Sequence, residues 1–183
     1  MSDILEHIRA RRSIRRYTDE PVDIDAVQRL LEAAMAAPSA MNRRPWEFLV
    51  VTDPDRLQKL RRWLPLGRYQ APVAILVCGN MHRMPPGPPQ GFWVQDCSAA
   101  IQNILLAATG MGLGSVWVGI HPIQPLVWGV RRAMGLPRHI KPLGLVWVGH
   151  AAERKSPRSQ FDPERVHWNV YKHHTPPSDE RTP

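Results

Sequence analysis

The stretch Arg11-Arg12-Ser13-Ile14-Arg15 brings three guanidinium groups and one hydroxyl group into five residues. A short helix is predicted just before it, because Ile4, Leu5 and Ile8 fall on one helical face and Asp3 is placed to cap the helix. Arginine offers planar, paired donors that suit a phosphate or an electron-rich ring edge. Cations are also favoured at any helix C-terminus, so the segment alone leaves a solvated basic helix end as an alternative.

A second polar segment, Pro38-Ser39-Ala40-Met41-Asn42-Arg43-Arg44-Pro45-Trp46, lies between a predicted helix and a predicted strand. Asn42 carries two donors and an acceptor, which match the alternating edge of a flavin pyrimidine ring. A turn in which Asn42 serves only the backbone geometry is the alternative. Taken alone, this segment suggests a binding loop without identifying its ligand.

Hydrophobic periodicity around these segments predicts helices and strands in irregular alternation. The predicted helices cover residues 27–35, 54–63, 94–111 and 125–134, and the predicted strands cover residues 48–51, 73–78, 115–118 and 143–148. Residues 80–92 contain four prolines and are expected to form no regular element. The pattern favours an α+β fold in which helices pack on a sheet.

The composition is that of a basic globular chain. Its 183 residues fit a single domain with a proper core, and the formal net charge is +8. Two cysteines without framework spacing suit a reducing compartment, and the N-terminal residues lack the apolar core of a signal peptide. The 94–111 helix carries Gln95, Asp96, Gln102 and Asn103, which are too polar for a membrane span. We therefore expect a soluble cytoplasmic protein with no membrane partner.

Four segments, taken in order, resemble the signatures of the nitroreductase family. They are the 11–15 stretch, the Pro-Ser-x-x-Asn-x-x-Pro-Trp pattern, residues 112–119, and the Arg158 region followed by Val166-His167-Trp168. The resemblance runs from about Ile4 to Trp168. One departure is Arg44, which stands where the family often has Gln, so its contact with the ring or with the substrate stays open.

The resemblance implies an entwined homodimer with a mostly antiparallel central sheet, and one FMN at each of two subunit interfaces. Residues 1–170 would form the FMN-binding domain, and residues 171–183 a polar tail that is extended or poorly ordered. The cofactor-binding residues implied for one subunit are Arg11, Arg12, Ser13, Arg15, Trp117, Val118, Gly119 and Arg158, and whether Lys155 helps to bind the phosphate stays open. Those implied to reach the same flavin from the partner are Pro38, Ser39, Ala40 and Asn42.

The resemblance also implies a chemistry. NADH or NADPH would reduce FMN, and a nitroaromatic, quinone or similar electron-poor acceptor would be reduced in a second, ping-pong step. Arg15 is expected to stabilise the negative charge of reduced FMN near N1–C2=O. The flavin performs the redox chemistry, so no catalytic side chain is predicted. Residues 85–91 would form a lid over the substrate pocket.

Other interpretations remain beside this one. The same fold could cleave flavin or remove halogens from aromatic rings, or the chain could bind flavin or nucleic acid without turnover. Against nucleic acid, the arginines are dispersed and no known binding motif is present. No histidine pair has metal-ligand spacing, so no metal site is predicted. Four arginines, Arg61, Arg62, Arg131 and Arg132, are most simply explained as solvated helix faces, and attraction of the phosphates of a nicotinamide donor is the alternative.

Overall fold

The computed structural model describes residues 4–176. Five helices and four strands form its framework. The helices are α1 (Ile4–Ala10), α2 (Ile24–Met35), α3 (Pro54–Trp63), α4 (Trp93–Gly110) and α5 (Gln124–Met134). The strands are β1 (Trp46–Val51), β2 (Val73–Asn80), β3 (Gly114–Gly119) and β4 (Ile140–Gly149). Each predicted helix and strand is present, with ends that differ by one to three residues for most of them.

Local signals in the sequence set the ends of several helices. The Asp53 carboxylate accepts a hydrogen bond from the Arg56 backbone N–H, and Pro54 occupies the first position of α3. Helix α5 ends at Gly135, whose φ of 69° is left-handed and therefore suits glycine. The predicted capping role of Asp3 lies outside the described residues.

The four strands form one antiparallel sheet in the order β1-β2-β4-β3. Strands β2 and β4 are central and almost entirely buried, which explains their continuous apolar sequences. Strands β1 and β3 are the two edges. The predicted α+β class and mostly antiparallel sheet are confirmed.

Helices cover both faces of the sheet. On one face, α2 and α4 pack over Val73, Ile75, Val77 and Val146. On the other face, α3 and α5 pack over Leu76, Leu145 and Trp147. An apolar core therefore lies on each face of the sheet. The two polar segments predicted from the sequence lie at the edges of the sheet, beside β1 and β3.

The proline-rich segment differs from the prediction. Residues 80–92 include two short 3₁₀ helices, Met81–Arg83 and Pro88–Phe92, so the expectation of no regular element is wrong. A 3₁₀ turn tolerates proline at its first positions, where a missing N–H costs nothing. Near the other end of the chain, the Trp168 N–H donates to the His173 carbonyl in a local turn. Residues 177–183 of the predicted tail lie outside the described part.

Within residues 4–176, the longest helices are too short or too polar to cross a lipid bilayer.

Candidate functional site at the β3 edge

The arginine-rich segment is fastened to edge strand β3. Ser13 pairs in parallel with Ser115, and the Ile14 N–H donates to the Ser115 carbonyl at 2.9 Å. Ile14 is buried and lies directly against Gly114, where an added Cβ would come within 2.8 Å of its Cγ2 atom. Because Ile14 is fixed, the flanking side chains of Ser13 and Arg15 take defined positions along this edge.

Glu153 anchors the same segment from the other side. Its Oε1 accepts a hydrogen bond from the Arg15 backbone N–H at 2.6 Å and lies 3.1 Å from the Lys155 Nζ. Its Oε2 lies 3.9 Å from the Arg16 Nε. The hydrogen bond from Arg15, followed by that from Lys155, holds the pKa of the Glu153 carboxyl below its usual range despite opposing desolvation.

A cluster of cations surrounds this anchor, and its members divide into two groups. The Lys155 Nζ donates to the Ser13 carbonyl at 2.6 Å, and an Arg12 guanidinium nitrogen donates to the Ser156 carbonyl. These two side chains are therefore committed to holding the backbone.

The other group is Arg11 and Arg158. Burial, then the charge of Arg158, then that of Arg12, lowers the pKa of Arg11. Neither Arg11 nor Arg158 has a side-chain hydrogen bond or ion pair within residues 4–176, although Arg158 is held nearby by its backbone N–H to the Arg9 carbonyl. Two guanidiniums that repel each other without a counterion provide a site for an anion such as a phosphate.

A cavity of about 360 Å³ opens beside Arg15, at the end of the same basic segment. Its polar end is Arg15, and Val116, Val118 and Leu126 contribute apolar surface. A second cavity of similar size shares Arg15 and Tyr69 with the first, and it is lined by Arg16, Arg68 and Gln70 among others. Arg15 thus stands between an apolar and a polar cavity.

Strand β3 presents its free edge to this region. The Ser115 carbonyl points outward to Ile14, so alternation places the backbone N–H groups of Trp117 and Gly119 on the same outer side. The Trp117 indole lies on Gly144 of β4, where any Cβ would clash with the indole nitrogen. The predicted residues Trp117, Val118 and Gly119 therefore line the same cavity as Arg15.

The second predicted segment, residues 38–42, lies at the opposite edge of the sheet. It leads into β1, and three strand spacings separate β1 from β3, or roughly 14 Å. Pro38, Ser39, Ala40 and Asn42 are absent from the lining of either cavity beside Arg15. Within the described chain, the structure brings the first group of predicted residues together and keeps this second group apart.

The 38–42 segment nevertheless has a fixed shape. The Asp96 Oδ1 at the start of α4 accepts a hydrogen bond from the Ala40 N–H at 2.9 Å. The Ser39 hydroxyl accepts a hydrogen bond from the Arg44 N–H at 2.9 Å. Met41 and Asn42 have left-handed φ angles of 51° and 52°, a costly conformation for Met41. Met41 and Asn42 are also exposed, so this strained loop displays their side chains on the surface of the chain.

Several residues of this region carry no signal in the sequence. Leu64, Pro65, Leu66, Gly67 and Tyr69 form a wall of the cavity, yet they belong to no recognisable motif. Glu153 could have been found as an acidic residue beside the basic Arg158 region. The predicted lid, residues 85–91, does not contribute to the lining of the two cavities beside Arg15 in the part of the chain described.

Comparisons with known proteins identify the family of this chain. The family model described as Nitroreductase family matches residues 8–64 and 67–150. A protein of Methanothermobacter thermautotrophicus, provisionally named NADH dehydrogenase/NAD(P)H nitroreductase, is 45% identical over 169 residues, which cover 90% of this chain and 86% of the relative.

Solved structures agree as well. One from Parabacteroides distasonis, with the same provisional name, has a TM-score of 0.87 and 39% identity over 93% of this chain and 100% of its own. Another, from Desulfovibrio desulfuricans, is a provisionally named nitroreductase in complex with FMN. It has a TM-score of 0.79 and 35% identity over 93% of this chain and 99% of its own.

Proposed function

The chain belongs to the nitroreductase family, and we propose that it is an FMN-dependent oxidoreductase that passes electrons from NAD(P)H to nitroaromatic, quinone or similar electron-poor acceptors. The observation that carries the proposal is the β3 edge. Two guanidiniums without counterions, Arg11 and Arg158, lie near each other there, and Arg15 of the same segment lines a cavity that has apolar walls. FMN combines an anionic phosphate with a planar ring that is largely apolar, and the region offers a matching surface for each.

The available groups divide between the two parts of the cofactor. Arg11 and Arg158 would hold the phosphate, since Arg12 and Lys155 already bond to backbone carbonyls. Arg15 and the outward N–H groups of Trp117 and Gly119 would face the polar edge of the ring. In this assignment Arg12 and Lys155 would hold the backbone of the site and would not contact the phosphate themselves.

We further propose that the protein is a homodimer with one FMN at each of two shared sites. The separation of residues 38–42 from Arg15 supports this arrangement, because within residues 4–176 neither cavity beside Arg15 is lined by both segments. A second copy could supply the exposed Met41–Asn42 turn. Helix α1 is also without a buried residue and leaves Ile4, Leu5 and Ile8 about half exposed or more, which suits a partner surface.

Bound FMN would supply the hydride chemistry, and the chain would supply position and electrostatics. Glu153 fixes the backbone of Arg15, whose exposed side chain lines the cavity. Fixed positive charge at that point stabilises a ligand that gains negative charge on reduction. The apolar walls formed by Val116, Val118 and Leu126 would exclude water from a ring bound there.

The mouth of the cavity favours an apolar acceptor. Leu66 is 94% exposed and Ile123 is 53% exposed, and both line the opening. Exposed aliphatic side chains at a binding site favour contact with a planar aromatic molecule over a small polar one. We therefore propose aromatic nitro compounds or quinones as the acceptor class and ping-pong turnover, in which the donor leaves before the acceptor enters the same space.

A visible absorption spectrum tests the proposal directly. The purified protein, or the protein after addition of FMN, should be yellow, and NADH or NADPH should bleach it without oxygen. Adding a quinone should then restore the colour. A protein that gains no flavin absorbance would refute the cofactor assignment. Bound flavin that neither donor reduces would favour a different flavin chemistry or binding without turnover.

A further inference from the structure

The wall of the cavity opposite β3 is a segment of eight residues, 64–71, which we call the pocket loop. Together with Pro72 it connects α3 to β2, and it contains neither helix nor strand. Only two short-range backbone hydrogen bonds shape its centre, from the Gly67 N–H to the Leu64 carbonyl at 2.9 Å and from the Tyr69 N–H to the Gly67 carbonyl at 3.0 Å. Such a loop needs additional contacts to keep one conformation.

Trp147 in the central strand β4 supplies one such contact. Its indole is fully buried, and its Nε1–H donates to the Gly67 carbonyl at 2.8 Å. Gly67 is meanwhile pressed against Val118 of β3, where an added Cβ would lie 2.5 Å from the Val118 Cγ1 atom. The centre of the pocket loop is thus held between the core and the strand that lines the cavity.

Arg61, in the last turn of α3, supplies the other contact. Its Nε donates to the Tyr69 carbonyl at 3.0 Å and its Nη2 donates to the Ala71 carbonyl at 3.1 Å. Its guanidinium carbon also lies 5.2 Å from the centre of the Trp147 ring. The expectation that Arg61 is a solvated helix-face residue is therefore wrong, whereas its neighbour Arg62 is exposed.

These contacts form a single clamp. The Arg61 guanidinium donates to two carbonyls of the pocket loop and packs on the Trp147 indole. That indole in turn donates to a third carbonyl of the loop, that of Gly67. A carboxylate partner for Arg61 is missing among residues 4–176, so its hydrogen-bonding capacity is directed to the loop. Lysine could not reproduce the arrangement, because its ammonium lacks two donors in one rigid plane.

We infer that Arg61 and Trp147 are positioning residues that hold the pocket loop in its binding shape, so that Leu66, Gly67 and Tyr69 present a fixed wall to the cofactor and acceptor. The inference rests on the proposed function for its ligands, but the clamp itself is a property of this chain alone. Neither residue lines the cavity, so neither is expected to touch the ligand.

The test compares Arg61→Gln with Arg62→Gln, which removes the same charge from the next residue of the same helix. Amide hydrogen exchange at Gly67 and Tyr69 is measured in the flavin-free protein, and FMN affinity and the KM for a quinone are measured separately. We expect exchange at both amides to become at least about tenfold faster in R61Q and to stay unchanged in R62Q. We also expect R61Q, and not R62Q, to bind FMN more weakly and to have a higher KM for the quinone.

Two further variants separate clamping from general stability. Arg61→Lys should recover only part of the exchange protection, and Trp147→Phe should expose the Gly67 carbonyl while keeping a ring beneath Arg61. Equal exchange at Gly67 and Tyr69 in R61Q and wild type would overturn the clamp, whether or not FMN binds. Faster exchange with unchanged FMN affinity and KM would overturn the positioning role. Failure of the wild-type protein to bind FMN would instead refute the proposed function, and the exchange comparison would still decide the clamp.

Discussion

Removal of either Arg11 or Arg158 should weaken FMN binding while leaving riboflavin binding nearly unchanged. Within residues 4–176 neither guanidinium has a side-chain hydrogen bond or ion pair, so both are available to the phosphate. A hydrogen bond to a charged group is worth about 1.5–3 kcal/mol net. Each alanine substitution should therefore raise the FMN dissociation constant roughly 10- to 150-fold.

Replacing Arg158 should not destabilise the flavin-free protein, although it weakens FMN binding. Arg158 lowers the pKa of Arg11, which means that the two charges repel each other when no anion lies between them. Arg158→Ala should thus leave the melting temperature of the flavin-free protein equal or higher, even though it weakens cofactor binding. A site built for a ligand differs in this way from a network built for stability.

The assay is fluorescence titration of FMN and riboflavin into flavin-free protein at fixed ionic strength, because charge effects depend on salt. Arg56→Ala, which removes an arginine from α3, is the matched control for net charge. An equal loss of FMN and riboflavin affinity would refute the phosphate assignment. The assignment would also be refuted if the flavin-free R158A protein melted at a clearly lower temperature and this destabilisation accounted for the whole loss of FMN affinity.

Three further predictions concern residues that support the site. Gly144→Ala would force a methyl group into the Trp117 indole, so chemical denaturation should show a loss of about 1–3 kcal/mol, and an unchanged midpoint would contradict the packing. Burial raises the pKa of Asp96 from 3.8 against an opposing hydrogen bond, so the contribution of Asp96 to wild-type stability should fall as the pH rises from 3.8 through its higher folded pKa. The Asp96→Asn protein should lack this fall, and parallel pH profiles would contradict the assignment. The pKa of Glu153 is lowered from 4.5, so the stability that it contributes is present above pH 4.5 and is lost as the pH falls through its folded value. Glu153→Gln should remove this acid-sensitive part and loosen Arg15, which a flavin titration would detect as weaker binding.

Much of the fold could be predicted from the sequence because its signals are local. The Asp53-Pro54 start and the Gly135 end of helices, and the apolar runs of β2 and β4, each depend on residues within a few positions. Hydrophobic periodicity cannot specify which strands pair. The order β1-β2-β4-β3, which puts the two predicted binding segments at opposite edges, became visible only in the fold.

The site was predictable in the same uneven way. Side chains with a distinctive chemistry, such as Arg15 and Asn42, could be selected from the sequence. The role of each cation could not be predicted from the sequence. Arg12 and Lys155 donate hydrogen bonds to backbone carbonyls that are distant from them in sequence, and only the fold brings these groups together. Arg61 shows the same limit. Its position on α3 predicts a solvent-exposed side chain, whereas in the structure the side chain donates to two carbonyls of the pocket loop.

The central claim is that one flavin site is built from the β3 edge of one copy and the 38–42 loop of another. Mixing two defective proteins tests it, one with Arg11 and Arg158 replaced by alanine and one with Asn42→Asp, which tolerates the left-handed φ. Each variant alone should bind little FMN. After unfolding and refolding together in equal amounts, about a quarter of all sites should be intact and bind FMN, because half the dimers are mixed and each has one undamaged site. FMN binding by the mixture that equals the average of the two separate variants would contradict a site shared between copies.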